Sequence, residues 1–506
     1  MTTLDKYTNL IESLHQQARE QDTYLVCRLQ TKRSKTVEAV EQKINEVRVG
    51  RMQGIGLHLF DRRGHSTLTS TDNLNDSTRV SRLLEQAISS LKAAEEQNFT
   101  RNTEVFGLNP ERNSLPLPKN FDLDRLTTSE IEQKLLDLNR KIAAIGKDLG
   151  VENGLKITTR FLILQEGWEI TRSDGTDVCW ELPKSILMAR ITYGDGKNKA
   201  DDTLPSTGSG WEALLDPEKQ RQFLAEAAYT INILKESINK GEYPAGNYPL
   251  LIDAALGGLL AHEAFGHCAE SDAIYNEDSV IGTGGQLDKG AKVASPAISV
   301  IDETKKGTWG FQPYSAFGIP REKVTIVKDG HLQESIGDLL SGKKVGDQVR
   351  GASRIQSYSD TPIPRMSQTT ICVNDPLPSI GKFATPQEIQ QALLTAGLLK
   401  DRVLVLRRAR GGGSVDTHAG TFMFGFAYLY EITPNSVRLF RGSSFSGQTL
   451  EALKAIQAGF GKVDASGAGS CGKGGQRAPT TSGANEFLLI GQTPHVTLGG
   501  VGKKGS

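Results

Sequence analysis

Residues 250–267 read Leu-Leu-Ile-Asp-Ala-Ala-Leu-Gly-Gly-Leu-Leu-Ala-His-Glu-Ala-Phe-Gly-His, and no other segment restricts the fold so tightly. The run is apolar enough to be buried, yet it carries two imidazoles and a carboxylate. Titratable groups in such a setting need a partner, and the pattern His262-Glu263-x-x-x-His267 suggests a metal ion. The familiar zinc motif HExxH sets its two histidines one helical turn apart on one face. Here the second histidine comes one residue later, and in a regular helix residues five apart differ by about 140° in azimuth. A wide π-type turn brings them nearly into line, and such turns often sit at functional sites. Gly266 can supply unusual backbone angles beside His267. The segment therefore predicts a short strand, 249–253, entering a locally distorted helix that holds a metal between His262 and His267.

Neutral imidazoles bind zinc, and a catalytic zinc site keeps one position open for water. The metal makes that water acidic and polarises a scissile carbonyl. Glu263, next to the first ligand, is placed to take the water proton and pass it to the leaving amine. A third protein ligand is needed, and several residues could supply it. Cys471 lies in a Gly-rich stretch whose Gly469 and Gly472 would let the backbone come close, and Lys473 nearby would favour its thiolate. Glu270 and Asp272 are near in sequence, and His418 is more distant. Cys268 follows His267 directly and should point away from it. For Cys27, Cys179 and Cys372 the expectation is a small buried hydrophobe.

The same stretch, 467–474, comes within one residue of a phosphate-binding loop. It has Gly474 where Ser or Thr should bind magnesium, and no helix can start well at Gly475-Gln476-Arg477-Ala478-Pro479. A nucleotide-dependent regulator is thus a poor alternative to a peptidase. A peptide-binding, non-catalytic subunit is another.

Lys plus Arg equals Asp plus Glu at 59 each, which argues against a generic nucleic-acid partner. Arg407, Arg408 and Arg410 form a local basic run, expected to be a solvated face. Five cysteines at irregular spacing do not make a secreted disulfide framework. No apolar run reaches the ~18 residues of a membrane span, and the N-terminus lacks a signal-peptide pattern. The expectation is a cytoplasmic protein with no membrane partner.

At 506 residues the chain should divide into domains. Leu4, Tyr7, Ile11, Leu14 and Ala18 mark a first helix, and Val80, Leu83, Leu84, Ala87, Ile88 and Leu91 a second. Strands are expected at 24–30, 37–49 and 54–60. Residues 107–124, rich in proline, read as a linker. A third helix carries Ile131, Leu135, Leu138, Ile142 and Ile145, and strands follow near 161–171 and 185–193. Asp216-Pro217 opens a helix that runs to about 239. Beyond the metal helix come strands at 403–408, 421–432, 437–440 and 486–491, with Gly-rich turns at 411–413 and 467–475. The division expected is 1–118 and 119–243, each α+β, then a strand-rich unit at 244–506. Helical and strand-rich stretches are segregated, so the class is α+β with antiparallel sheet.

Several segments match one known family. His262–His267 resembles the metal helix of the TldD/PmbA metallopeptidases, on the TldD branch. Gly318-Ile319-Pro320 with 324–330, Tyr358 to Met366 with its Pro-Arg-Met ending, Gly412-Gly413-Ser414-Val415-Asp416-Thr417 with Phe422-Met423-Phe424-Gly425, and Ser470-Cys471-Gly472-Lys473-Gly474-Gly475-Gln476 are similar to further segments of that family. The resemblance is strongest after Tyr248. It implies a zinc peptidase with Zn2+ held by His262, His267 and Cys471, and Glu263 as base. It implies peptides or unfolded polypeptides as substrate and a PmbA/TldE-type paralogue as partner in a heterodimer, a homodimer being the alternative. The fold implied is an N-terminal α+β domain followed by a C-terminal distorted β-barrel.

Overall fold

A long antiparallel hairpin shapes the first half of the chain. The computed structural model describes residues 7–94 and 101–499, so Leu4 of the expected first helix lies outside the described residues. Tyr24–Val40 (β1) pairs with Lys43–Phe60 (β2) from Tyr24↔Phe60 to Val40↔Lys43. Two strands thus stand where three are expected. Lys32, Arg33, Ser34 and Lys35 break the apolar pattern but not the backbone ladder, which needs no buried side chain to form. The tip is Glu41-Gln42, both with left-handed φ (47° and 65°), as a two-residue hairpin turn requires. Asn139 helps hold this tip, accepting from the Gln42 amide at 3.1 Å.

Ser66–Thr71 (β3), Arg112–Leu115 (β4), Leu155–Arg172 (β5), Asp177–Gly194 (β6) and Lys199–Gly208 (β7) complete a seven-stranded sheet in the order β3-β2-β1-β5-β6-β4, with β7 also on β6. One sheet therefore spans the two units expected at 1–118 and 119–243. The expected linker contributes β4, parallel to β6. Each end of the sheet keeps its own helical layer. Thr8–Glu20 (α1) and Ser77–Ala93 (α2) bury Ile11, Leu14, Val80 and Leu84 against Leu25, Leu29 and Leu57. Thr128–Asp148 (α3) and Pro217–Ser237 (α4) bury Ile131, Leu135, Ile142 and Phe223 against Phe161, Leu187 and Trp211. A capping box, Thr127 with Glu130, starts α3, and Asp216 caps α4 ahead of Pro217.

The C-terminal strands form a twelve-stranded mixed sheet. Its strands are Leu250–Asp253 (β8), Ile298–Glu303 (β9), Val324–Lys328 (β10), His331–Leu332 (β11), Gln368–Val373 (β12), Val403–Asp416 (β13), Thr421–Thr433 (β14), Ser436–Arg441 (β15), Ser444–Gln448 (β16), Ile456–Lys473 (β17), Gln476–Ile490 (β18) and Val496–Leu498 (β19). The path runs β11-β10-β9-β12-β18-β8-β13-β14-β16-β19, with β15 on β14 and β17 on β18. Among the described residues no pairing joins the two ends of this path, β11 and β19.

This topology positions the metal helix. The short strand β8 pairs only with Leu404–Leu406 of β13 and Phe487–Ile490 of β18, while both neighbours run on past it. The chain turns there into Ala254–Leu259 (α5), capped by Asp253, whose Oδ1 accepts from the Leu256 amide at 3.1 Å. The helix lies directly on β18. A Cβ on Gly257 would sit 2.5 Å from Cβ of Ala484, and one on Gly258 would sit 3.0 Å from the Gly483 nitrogen. Asp253 also accepts from the Arg408 amide through Oδ2 at 2.7 Å, where Arg408, with φ +64°, drops out of the pairing with β14. Asp253→Ala is expected to cost about 0.5–2 kcal/mol, read as a fall in the unfolding midpoint.

Of the arginine run at 407–410, Arg410 is exposed as expected, but Arg407 and Arg408 are not. Arg407 is buried against the Phe487 ring, and Arg408 donates to Glu226 at 2.6 Å and Thr230 at 2.8 Å, joining β13 to α4. The first sheet docks on the C-terminal unit through two further buried arginines. Arg28 donates to the Ala316 carbonyl at 2.7 Å, and Arg172 to that of Phe317 at 2.9 Å. No helix among the described residues is long and apolar enough to cross a membrane.

Candidate metal centre

The helix changes character where the motif begins. Leu260–Gly266 is a π-helical turn, and the His267 amide donates to the His262 carbonyl at 3.2 Å, five residues back. The extra residue of HExxxH is absorbed there, and the two imidazoles face each other with centroids 5.1 Å apart at 81°. Gly266 serves this turn differently from the expectation. Its φ is not left-handed, but a Cβ there would lie 2.1 Å from the Met366 sulfur, so only glycine leaves room for that side chain.

Cys471 joins the histidines from the far end of the chain. Its Sγ lies 3.2 Å from Nε2 of His267, and one donor atom each of His262, His267 and Cys471 fall within 4.8 Å of one another. The residue is not in a loop. It sits in β17 opposite Ala478, and the turn comes later, at Gly474-Gly475 with φ +57° and +76°. The stretch is thus a β-hairpin, with none of the strand-to-helix geometry of a phosphate loop. The flanking glycines are not needed for close approach, because a Cβ on Gly472 would meet nothing within 4 Å.

Electrostatics favour a metal-binding form of the thiol. Burial alone would raise the Cys471 pKa, but contacts with His262 and His267 outweigh it and bring it down to about 5. For His267, burial opposes the charged form, and Glu270 and Cys471 overcome it, giving about 10. Nδ1 of His262 is buried and has no hydrogen-bond partner among the described residues. A thiolate, two imidazoles and an orphaned ring nitrogen make a donor set of the soft and borderline type that suits zinc.

The other candidates lie elsewhere. Glu270 touches the opposite nitrogen of His267, Nδ1, at 3.0 Å. Lys473 does not address the thiolate; it bonds Glu270 at 2.8 Å and Asp272 at 2.5 Å. Burial holds the Asp272 carboxyl up at about 6 despite this lysine. Cys268 points back to the Ala264 carbonyl at 3.5 Å, and burial pushes its thiol up to about 12. His418 is exposed and contacts the Glu277 carbonyl. Cys27 is buried, whereas Cys179 and Cys372 are only half-buried.

Glu263 is outside the donor set but beside it, with its carboxylate 3.8 Å from Nε2 of His267 and its side chain 21% exposed. Two neighbours went unassigned in the sequence. Gly413 of β13 runs so close that a Cβ would lie 2.9 Å from Cγ of Glu263 and 2.5 Å from the Phe424 ring. Arg365, fully buried, donates to the Cys471 carbonyl at 2.5 Å. Their only signal in the sequence is their place in the Gly-Gly-Ser-Val-Asp and Pro-Arg-Met segments.

Comparison with known proteins gives this arrangement its class. Residues 245–481 match the family profile described as the PmbA/TldA metallopeptidase C-terminal domain. A protein of Methanothermobacter thermautotrophicus named metalloprotease is 24% identical, over 97% of this chain and 97% of its own length. One of Saccharolobus solfataricus named zinc metalloprotease TldD homolog is 26% identical over 50% of this chain and 53% of its own. The crystal structure of TldE from Thermococcus kodakarensis superposes with a TM-score of 0.69 at 13% identity, covering 95% of this chain and 99% of that one, and so shares the fold. Fold and site together define a chain of metallopeptidase type, in which a helix and a distant strand meet at three donor side chains. Residues 245–481 of the chain are thus of the PmbA/TldA metallopeptidase C-terminal domain family.

Proposed function

We propose that this chain is a zinc-dependent peptidase with Zn2+ held by His262, His267 and Cys471 and with Glu263 as its base. The observation that carries the reading is the convergence of the three donors within 4.8 Å, with a carboxylate outside the set but beside it. When bound, the zinc supplies Lewis acidity, polarising a scissile carbonyl and making a water nucleophilic near neutral pH. Glu263 takes the proton of that water on its carboxylate and delivers it to the leaving amine nitrogen. Its partial exposure leaves it reachable by substrate, while β13 at Gly413 limits where its side chain can lie. His262, His267 and Cys471 orient and do not move protons in the reaction.

Peptides and unfolded polypeptides are the substrates proposed, and a TldE-type paralogue, or a second copy, is the partner. The likeness to the fold of TldE supports a pairing of similar shapes. The test is elemental analysis of the purified chain, joined to cleavage of an unfolded polypeptide with and without such a partner. About one zinc per chain is expected, with cleavage lost on chelation and a folded substrate left uncut. A metal-free protein that cleaves equally well in chelator would overturn the proposal.

A further inference from the structure

We infer that Glu270 is the positioning residue that makes His267 a ligand: its carboxylate accepts the Nδ1 proton and leaves Nε2, on the Cys471 side, as the nitrogen that meets the metal. The inference rests on the metal site proposed above and concerns a residue outside it. The imidazole is bracketed, with Glu270 Oε2 at 3.0 Å from Nδ1 and Cys471 Sγ at 3.2 Å from Nε2. A carboxylate only accepts, so this contact fixes the tautomer as well as the ring plane. Glu270 reaches the ring from the side opposite the donor set, and so it is not a fourth ligand. Its negative charge also makes the imidazole a stronger donor.

A fully buried carboxylate is costly unless paired, and Glu270 is paired in a way that serves the site. Lys473, two residues beyond Cys471 on β17, donates to its Oε2 at 2.8 Å. Arg365 stands 3.9 Å from its Oε1 while donating to the Cys471 carbonyl. The end of the metal helix and the strand carrying the thiolate are therefore tied through one acidic group. Moving Glu270 would misplace His267 and Cys471 relative to each other.

The experiment uses the full chain as wild type, Glu270→Ala, Glu270→Gln and Cys471→Ser. Zinc affinity is measured by competition with a chromophoric chelator, cobalt(II) absorption reports the ligand set, and unfolding midpoints are taken after metal removal. Glu270→Ala is expected to bind zinc about 10–100-fold more weakly, keeping the thiolate-to-cobalt band but with altered d–d bands. Glu270→Gln should lose less, because its amide oxygen still accepts the Nδ1 proton. Wild-type affinity in Glu270→Ala overturns the inference, and so do equal losses in the two variants or a loss matched by a lower metal-free midpoint. Cys471→Ser separates this from the underlying reading: wild-type affinity there, or no zinc uptake by the wild type, sinks the metal site and the inference with it.

Discussion

Glu263→Ala is expected to retain its zinc and to lose about 10²–10⁴-fold in peptide cleavage, the usual effect of removing a general base. The two halves of this result come from one piece of geometry. The carboxylate lies 3.8 Å from Nε2 of His267 but is not among the three converging donors, so removing it should not empty the site. It lies beside that set and is partly open to solvent, whereas Glu270 is buried and engaged on the far side of the ring. Steady-state cleavage paired with zinc content on the same preparation checks the prediction. A metal-free Glu263→Ala protein would show that the residue had been given the wrong role.

Cys471→Ser should lose both zinc and activity, and it should also loosen the C-terminal unit. His267 and Cys471 are 204 positions apart in sequence, so a metal between them joins the helix after β8 to the hairpin of β17 and β18. A ligand that binds only the folded chain stabilises it by about 2.7 kcal/mol at 100 times its Kd. The wild type should therefore melt higher as free zinc rises, while Cys471→Ser should not respond. Limited proteolysis should cut the variant, or the chelated wild type, faster between 456 and 490. Full zinc occupancy in Cys471→Ser would mean that another group closes the shell.

His262, Glu263 and His267 were legible in the sequence because their relation is local: six residues and the geometry of one turn decide it. The π-turn follows from the same spacing. Cys471 was legible as a residue but not as a place. Glycine is a poor strand former, so 467–473 reads as a loop, yet pairing with 476–482 carries it into a strand. Glu270 reads in the sequence as an alternative metal ligand and Lys473 as a neighbour of the thiolate, because sequence distance cannot tell which nitrogen of an imidazole a carboxylate will meet. The union of residues 24–208 in one sheet depends on β1 pairing with β5 across more than a hundred residues. No local pattern encodes that pairing. The buried Arg407 and the half-buried Arg408 read as solvated for a similar reason: their partners Asp253 and Glu226 come from other parts of the chain.

The π-turn also sets the frame in which the rest of the segment is counted. An ordinary helix advances each residue by about 100°, so shortening 263–266 by one position would leave a plain HExxH helix with its histidines still on one side. The second histidine and Glu270 both follow the deleted position and keep their three-residue spacing, so the carboxylate would travel with Nδ1 of that imidazole. The segment is therefore two units of length in series: a wide turn that brings the two imidazoles together, and a short step after it that aims the carboxylate at the second of them.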